Sequence, residues 1–248
     1  MSTTTVRYTH GEIGPTAGTG EESVQRVQPE RLLPPEVVQV GAGIGISDYT
    51  PEGVDEAING RYWKCVDALV AKGAQATNLG GVPISSQLGR PRVLKLLEET
   101  QQKTGLPASS TNEAIIASLQ RLGVSEIAVA SRWATQLNQA VVDYFGHAGI
   151  KVLAITSEGQ WAREAFAMSI EKGIVLAFRL GREAMRKAPN AGALVLPGGT
   201  WRSLAAVPIL EDDFNVPVIT NRTAIAWRII KQGYAPPVEG WGRLLANP

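Results

Sequence analysis

The sequence predicts an α/β protein of two pseudo-symmetric lobes, each a parallel sheet flanked by helices, with the active site between them. Two observations carry this. Short apolar runs of strand length alternate with longer segments of helical period from Val37 to Gln232, and such alternation gives parallel strands covered by helices. The chain also repeats itself: Pro107 to Gly123 reads PASSTNEAIIASLQRLG and Pro217 to Gly233 reads PVITNRTAIAWRIIKQG. In each copy a proline opens a short strand, a hydroxyl residue (Ser110, Thr220) closes it, an Ala-Ile pair starts a helix and a glycine ends it. Upstream of each lies a strand that runs into glycines, GAQATNLGG from Gly73 and GALVLPGG from Gly192. One duplicated unit packed about a pseudo-twofold axis sets Gly80-Gly81 and Gly198-Gly199 facing each other at strand carboxyl ends, where α/β sheets bind ligands.

The elements follow in order. A first strand is expected to end near Gly14-Pro15, after His10 and Glu12. Further strands are expected at Val37 to Ile46, Ala74 to Leu79, Pro107 to Ser110, Glu126 to Ala130, Lys151 to Ile155, Ala193 to Leu196 and Val216 to Ile219. Helices are expected at 51–72, 90–103, 112–122, 134–147, 160–187 and 223–232. The first of these opens on Thr50-Pro51 with Glu52 and Asp55 in its first turn, which supplies a cap, a preset φ and acids at the positive dipole end. Its apolar positions Val54, Ile58, Tyr62, Val66 and Leu69 share one face. Cys65 falls on or beside that face, where a free thiol acts as a small hydrophobe. In Gly41-Ala42-Gly43-Ile44-Gly45 the glycines sit in a strand-like run and serve packing or curvature. The lobes are expected to comprise residues 1–118 with 222–248, and 119–221.

Composition narrows the function. The 248 residues carry 24 Lys+Arg against 23 Asp+Glu, which leaves no basic surface for a phosphate backbone and makes nucleic acid an unexpected partner. The first thirty residues lack a signal-peptide core and no window has the length of a membrane span, so a cytoplasmic protein off the membrane is expected. One cysteine and two histidines exclude a disulfide framework and argue against a metal site. No GxGxxG turn with an acidic ribose partner is present, so no cofactor is expected. The expected partner is a small-molecule carboxylate, and homo-oligomer formation is compatible with the composition.

Acid–base candidates must come from loops at strand carboxyl ends. Thr111 and Asn112 after Ser110, and Asn221 and Arg222 after Thr220, are equally explained as helix caps or as a carboxylate dock, since a helix start suits both. Glu113 is a candidate general base, against the plainer reading of a dipole partner in a first turn. His10 and Glu12 are charged residues in a strand bound for a sheet, which a cleft position would explain and so would a solvated N-terminus. Arg132, Trp133, Trp201 and Arg202 place cations and aromatics beside two of the turns; Arg pairs with carboxylates, and Trp walls an apolar group.

Taken together, GIGISDYTPEGVDEA, NLGGVPISSQLG, TGLPASSTNEAI, RLGVSEIAVASRW, ITSEG and LPGGTW resemble the aspartate/glutamate racemase superfamily, in its arylmalonate decarboxylase and maleate isomerase branch. The resemblance runs from about Thr50 to Arg243, and VRYTHGEIGPTAG matches only loosely. It implies two lobes with four-stranded parallel sheets, a cofactor-free site between them and small carboxylate substrates. It also implies thiols at the two glycine turns, at the positions of Gly81 and Pro197, and here both are absent. Hydroxyls and a tyrosine that bind carboxylate in the decarboxylase correspond to Val82, Pro83 and Trp133. The backbone survives, with amides after Gly81 and at Gly198, Gly199 and Thr200 to cradle an oxyanion, and on this basis Gly199→Val is expected to abolish binding. The activity expected first is a decarboxylase-like lyase. Hydrolysis or isomerisation of a small cyclic or unsaturated acid by Glu12, His10 or Glu113 comes next, then a catalytically silent carboxylate-binding protein.

Overall fold

The computed structural model describes residues 7–15 and 32–248; Val6 and Thr16 to Gly18 of the loosely matching N-terminal stretch lie outside them. The first sheet contains β1 (Tyr8–Gly14), β2 (Val37–Gly43), β3 (Ala76–Leu79) and β4 (Ala108–Ser110), in the order β2-β1-β3-β4. The second contains β5 (Glu126–Trp133), β6 (Lys151–Gln160), β7 (Ala193–Leu196) and β8 (Val218–Thr220), in the order β6-β5-β7-β8. Every neighbouring pair is parallel. The same permutation of strands in both sheets is the duplication written in space.

The helices are α1 (Pro51–Ala71), α2 (Val82–Leu88), α3 (Arg90–Thr104), α4 (Thr111–Arg121), α5 (Thr135–Gly146), α6 (Ala162–Phe166), α7 (Ile170–Lys187), α8 (Val207–Phe214), α9 (Asn221–Lys231) and α10 (Arg243–Ala246). The Thr50 hydroxyl accepts from Gly53 N–H at the start of α1, whose buried stripe includes Val54, Ile58, Tyr62, Cys65, Val66 and Leu69. The repeated helices start alike: Ser110 accepts from Glu113 N–H and Thr220 from Thr223 N–H. These equivalent helices, α4 and α9, pack against each other, so the pseudo-twofold passes between them. Helix α9 reaches on to the first sheet and buries Ile229 against Tyr8 and Ala76. Because side chains alternate along a strand, Tyr8, His10 and Glu12 share the face that α9 covers.

Three departures from the sequence reading have local causes. The expected helix at 160–187 is divided: β6 continues to Gln160, and Ser169 stops the chain from running straight by capping α7, its hydroxyl accepting from Lys172 N–H. Helix α2 is not among the helices expected from the sequence; its Pro83 sits in the first turn, where no N–H is needed. Strands β5 and β6 extend beyond their predicted ends, and a register irregularity between Ser131 and Trp133 re-aims the side chains at the end of β5.

Candidate active site

Register fixes which turn positions correspond. Leu79 lies beside Ser110 and Leu196 beside Thr220, so Gly80 is equivalent to Pro197 and Gly81 to Gly198. Helix α2, which begins after Gly81, packs against α5, which begins just after Trp133, so the two lobes are in contact beside these turns.

At the first turn, Gly80 N–H donates to the Ile13 carbonyl at 2.8 Å. A Cβ on Gly80 would stand 2.5 Å from Glu12 Oε1, so the glycine makes room for that carboxylate. Glu12 sits in register between Gly41 and Asn78. It is only partly exposed, and no described residue pairs with its carboxylate. Burial therefore pushes its pKa up to about 7. Gly81 holds φ at +90°, and a Cβ there would meet Ile84 at 2.7 Å. Among the described residues nothing accepts from the N–H groups of Gly81 and Val82, which lie at the positive end of α2. Asn112 fixes that helix, with Nδ2 donating to Ser86 Oγ at 3.0 Å. Thr111 Oγ1 accepts from Asn78 Nδ2 at 3.3 Å. Thr111 and Asn112 thus brace the turn.

The second turn corrects the sequence reading in two respects. Gly198 N–H donates to Asn221 Oδ1 at 2.9 Å, so this amide is already used and Asn221 serves as its brace. Among the described residues a Cβ on Gly199 would meet only Asn221 Nδ2, at 3.7 Å. Its φ lies outside the left-handed region, in contrast to Gly81 and to Gly198 with φ at +140°. Pro197 and Gly198 are buried, Gly199 and Thr200 exposed, and Arg222, one residue along α9 from Asn221, is half-buried. Trp133 and Arg132 flank Gly198, at 3.8 and 3.5 Å from the place a Cβ would take.

His10 and Glu113 lie elsewhere. His10 is two residues deeper in β1 and faces a cavity of about 20 Å³, room for a single water, lined also by Asn78, Ser109, Arg228 and Gln232. Both its ring nitrogens are buried and unbonded. Burial first, and Arg228 second, lower its pKa to about 4, which leaves the ring neutral. Glu113 is held by Arg90, with Nε to Oε1 at 2.9 Å and Nη2 to Oε2 at 3.2 Å, and Tyr144 O–H donates to Oε1 at 2.9 Å. Arg90 Nη1 also donates to the His147 carbonyl. Glu113 therefore ties α4 to α3 and α5 and has no oxygen left free of a partner.

Cys65, the sole thiol, is 6% exposed in the core, and burial raises its pKa. Cys65→Ala is expected to cost about 1 kcal/mol for the small volume lost and to leave turnover within a few-fold, checked by urea unfolding and steady-state rates; lost turnover in a folded variant contradicts this. No cluster of three His, Cys, Asp or Glu suited to a metal occurs among the described residues, and no described helix is long and apolar enough to cross a membrane. Asn78 and Asn138 are the site residues the sequence reading misses. Asn138 Nδ2 donates to the Trp133 carbonyl at 2.7 Å and fixes the end of β5. The signal for Asn78 was a polar residue in an apolar strand, two before Gly80.

The sequence model of the arylmalonate decarboxylase family matches residues 23–245. The arylmalonate decarboxylase of Bordetella bronchiseptica is 27% identical over 222 residues, 86% of this chain and 88% of that one. A liganded Gly-to-Cys, Cys-to-Ser double mutant of arylmalonate decarboxylase superposes with a TM-score of 0.85 at 26% identity, covering 97% of this chain and all of that one. The Nocardia farcinica maleate cis-trans isomerase carrying a covalent succinylcysteine intermediate shares the fold, with a TM-score of 0.78 at 20% identity over 97% of this chain and 99% of that one. The two-lobed α/β architecture, the paired parallel sheets and the match across nine-tenths of the sequence lead to one assignment: the chain belongs to the arylmalonate decarboxylase family.

Proposed function

We propose that this enzyme decarboxylates a small substituted malonate without a cofactor, and that Glu12 takes the place of a thiol as the proton donor. The observation that carries the reading is the Glu12 carboxyl against Gly80, without a partner among the described residues and with its pKa raised to about 7, in a protein whose only thiol lies in the core. An acid poised near neutrality suits proton transfer at physiological pH.

The chemistry balances as follows. The bond from the α-carbon to one carboxylate breaks, CO₂ departs, and the electron pair moves on to the retained carboxylate, which becomes a dianionic enediolate. Protonated Glu12 then gives its proton to the α-carbon, leaving a monocarboxylate product, and Glu12 is reprotonated from water. The enediolate oxygens are held by backbone N–H groups, those of Gly81 and Val82 on one side and that of Thr200 on the other, where donors strengthen as negative charge accumulates. Trp133, buried at the end of β5, supplies an apolar wall for the substituent.

The test is to incubate the protein with aryl- and alkylmalonates in D₂O, and separately with maleate, and to follow CO₂ release and the NMR spectrum. One equivalent of CO₂ and one deuterium at the α-carbon are expected from a malonate, with maleate unchanged. Conversion of maleate to fumarate without any decarboxylation would support the isomerase reading instead. Binding of malonates without turnover would mark a silent binding protein.

A further inference from the structure

We infer that Arg132 is the cation that grips the retained carboxylate of the substrate at the second glycine turn. This rests on the decarboxylase reading and deepens it. Arg132 is 2% exposed, and among the described residues no carboxylate lies within ion-pair distance of it. Its two recorded acceptors are neutral: the Ala165 carbonyl for Nη1, and Thr200 Oγ1 at 3.1 Å for Nη2. Nε has no partner, and neither does Nε1 of the adjoining Trp133. The guanidinium lies over the Trp201 ring, 5.6 Å from its centroid.

A buried charge is ordinarily paired, because removal from water is costly unless an opposite charge compensates. Here, among the described residues, the counter-ion is missing, and the guanidinium lies beside an exposed stretch of chain. Nη2 lies 3.5 Å from the position of an absent Gly198 Cβ, and its acceptor Thr200 is exposed. A carboxylate entering over Gly199 and Thr200 meets the guanidinium, with Trp133 beside it. Arg132 is brought there by the register irregularity between Ser131 and Trp133, which re-aims a residue that regular pleating would alternate away.

The energetic consequence is specific to decarboxylation. In a malonate dianion each carboxylate holds one negative charge; once CO₂ leaves, the retained group holds two. Arg132 therefore gains attraction as the C–C bond breaks and lowers the barrier more than it tightens binding. In an isomerisation that leaves both carboxylates singly charged, the same contact would act mainly on KM.

The test uses Arg132→Met and Arg132→Lys with phenylmalonate as substrate and phenylacetate, which carries only the retained carboxylate, as calorimetric ligand. Arg132→Met is expected to fold normally, since it removes an uncompensated buried charge, to lose about 100-fold or more in kcat with a smaller change in KM, and to bind phenylacetate at least about tenfold more weakly. Arg132→Lys should recover part of the loss, as a point charge without the guanidinium's fork. A crystal of the unsubstituted protein with phenylacetate, its carboxylate on Arg132, is the check that needs no variant. Unchanged kcat and affinity in Arg132→Met, or phenylacetate bound away from Arg132, overturns the inference while leaving decarboxylation standing. Arg132-dependent phenylacetate binding in a protein that decarboxylates no malonate has the opposite meaning: the anion site stands and the lyase reading falls.

Discussion

Glu12→Gln is expected to slow decarboxylation by about 10²- to 10⁴-fold, the range supplied by a positioned general acid, while making the protein more stable above neutral pH. In the proposed mechanism the donor is the protonated carboxyl, so kcat should fall as pH rises through about 7, the value to which burial pushes Glu12. Glutamine keeps the shape and removes the proton, and the high-pH limb should vanish along with the rate. Stability moves the other way. A carboxyl with a folded pKa above its unfolded value of 4.5 binds its proton more tightly in the folded state, so it stabilises at low pH and that contribution is lost as pH climbs from 4.5 to about 7. Removing the charge should therefore stabilise the protein at pH 8, by on the order of 2 kcal/mol after allowance for partial exposure.

His10 gives this prediction a second signature. Its folded pKa is lowered from 6.5 to about 4, so the unfolded chain binds the extra proton and stability rises with pH across that interval. Between pH 4.5 and 6.5 the two groups oppose each other, so each masks part of the other's pH dependence. Glu12→Gln should uncover the His10 slope, about 1.4 kcal/mol per pH unit, seen in urea unfolding at pH 4.5, 5.5 and 6.5. A variant that retains its rate within a few-fold and keeps the high-pH limb would show that the proton comes from elsewhere.

The fold was legible because its signals are local and repeated. Ser110 and Thr220 close strands and cap helices for the same physical reason in both halves, and two copies of one pattern constrain topology more than either does alone. The site was legible only at the level of the turns. Sequence places Gly198 and Gly199 side by side but is silent on which amide a side chain has already taken; Asn221 takes that of Gly198. It places Glu12 in a strand without revealing that Gly80 leaves space for its carboxylate. Arg132 and Trp133 are adjacent in sequence, which regular pleating would send to opposite faces, and the irregularity that aims both at Gly198 depends on how β5 pairs with β6. Such facts arise from contacts between distant segments, and no window of sequence contains them.

Glu113→Ala is the second large effect expected, and it falls on stability. As a first-turn acid Glu113 could be read as a base, but its oxygens are bound by Arg90 and Tyr144, and the Arg90 and Glu113 side chains are only 22% and 14% exposed. Truncation leaves the guanidinium half-buried with the His147 carbonyl as its remaining partner among the described residues and takes from the Tyr144 hydroxyl the carboxylate it donates to, in surroundings that already raise its pKa by burial. Breaking a well-enclosed pair costs about 3–5 kcal/mol and exposed pairs much less; this intermediate case should cost about 2–3 kcal/mol in urea unfolding. Because Arg90 begins α3, Glu113 lies in the first turn of α4 and Tyr144 lies on α5, the loss is felt where the two lobes meet. Glu113→Gln keeps one acceptor and the volume, and should recover about half of the loss. At a temperature where Glu113→Ala remains folded, kcat should stay within about tenfold of the unsubstituted enzyme, since the group acts on lobe alignment and not on the reacting atoms. A Glu113→Ala enzyme of undiminished stability that no longer turns over would reverse this assignment and return Glu113 to the role of general base.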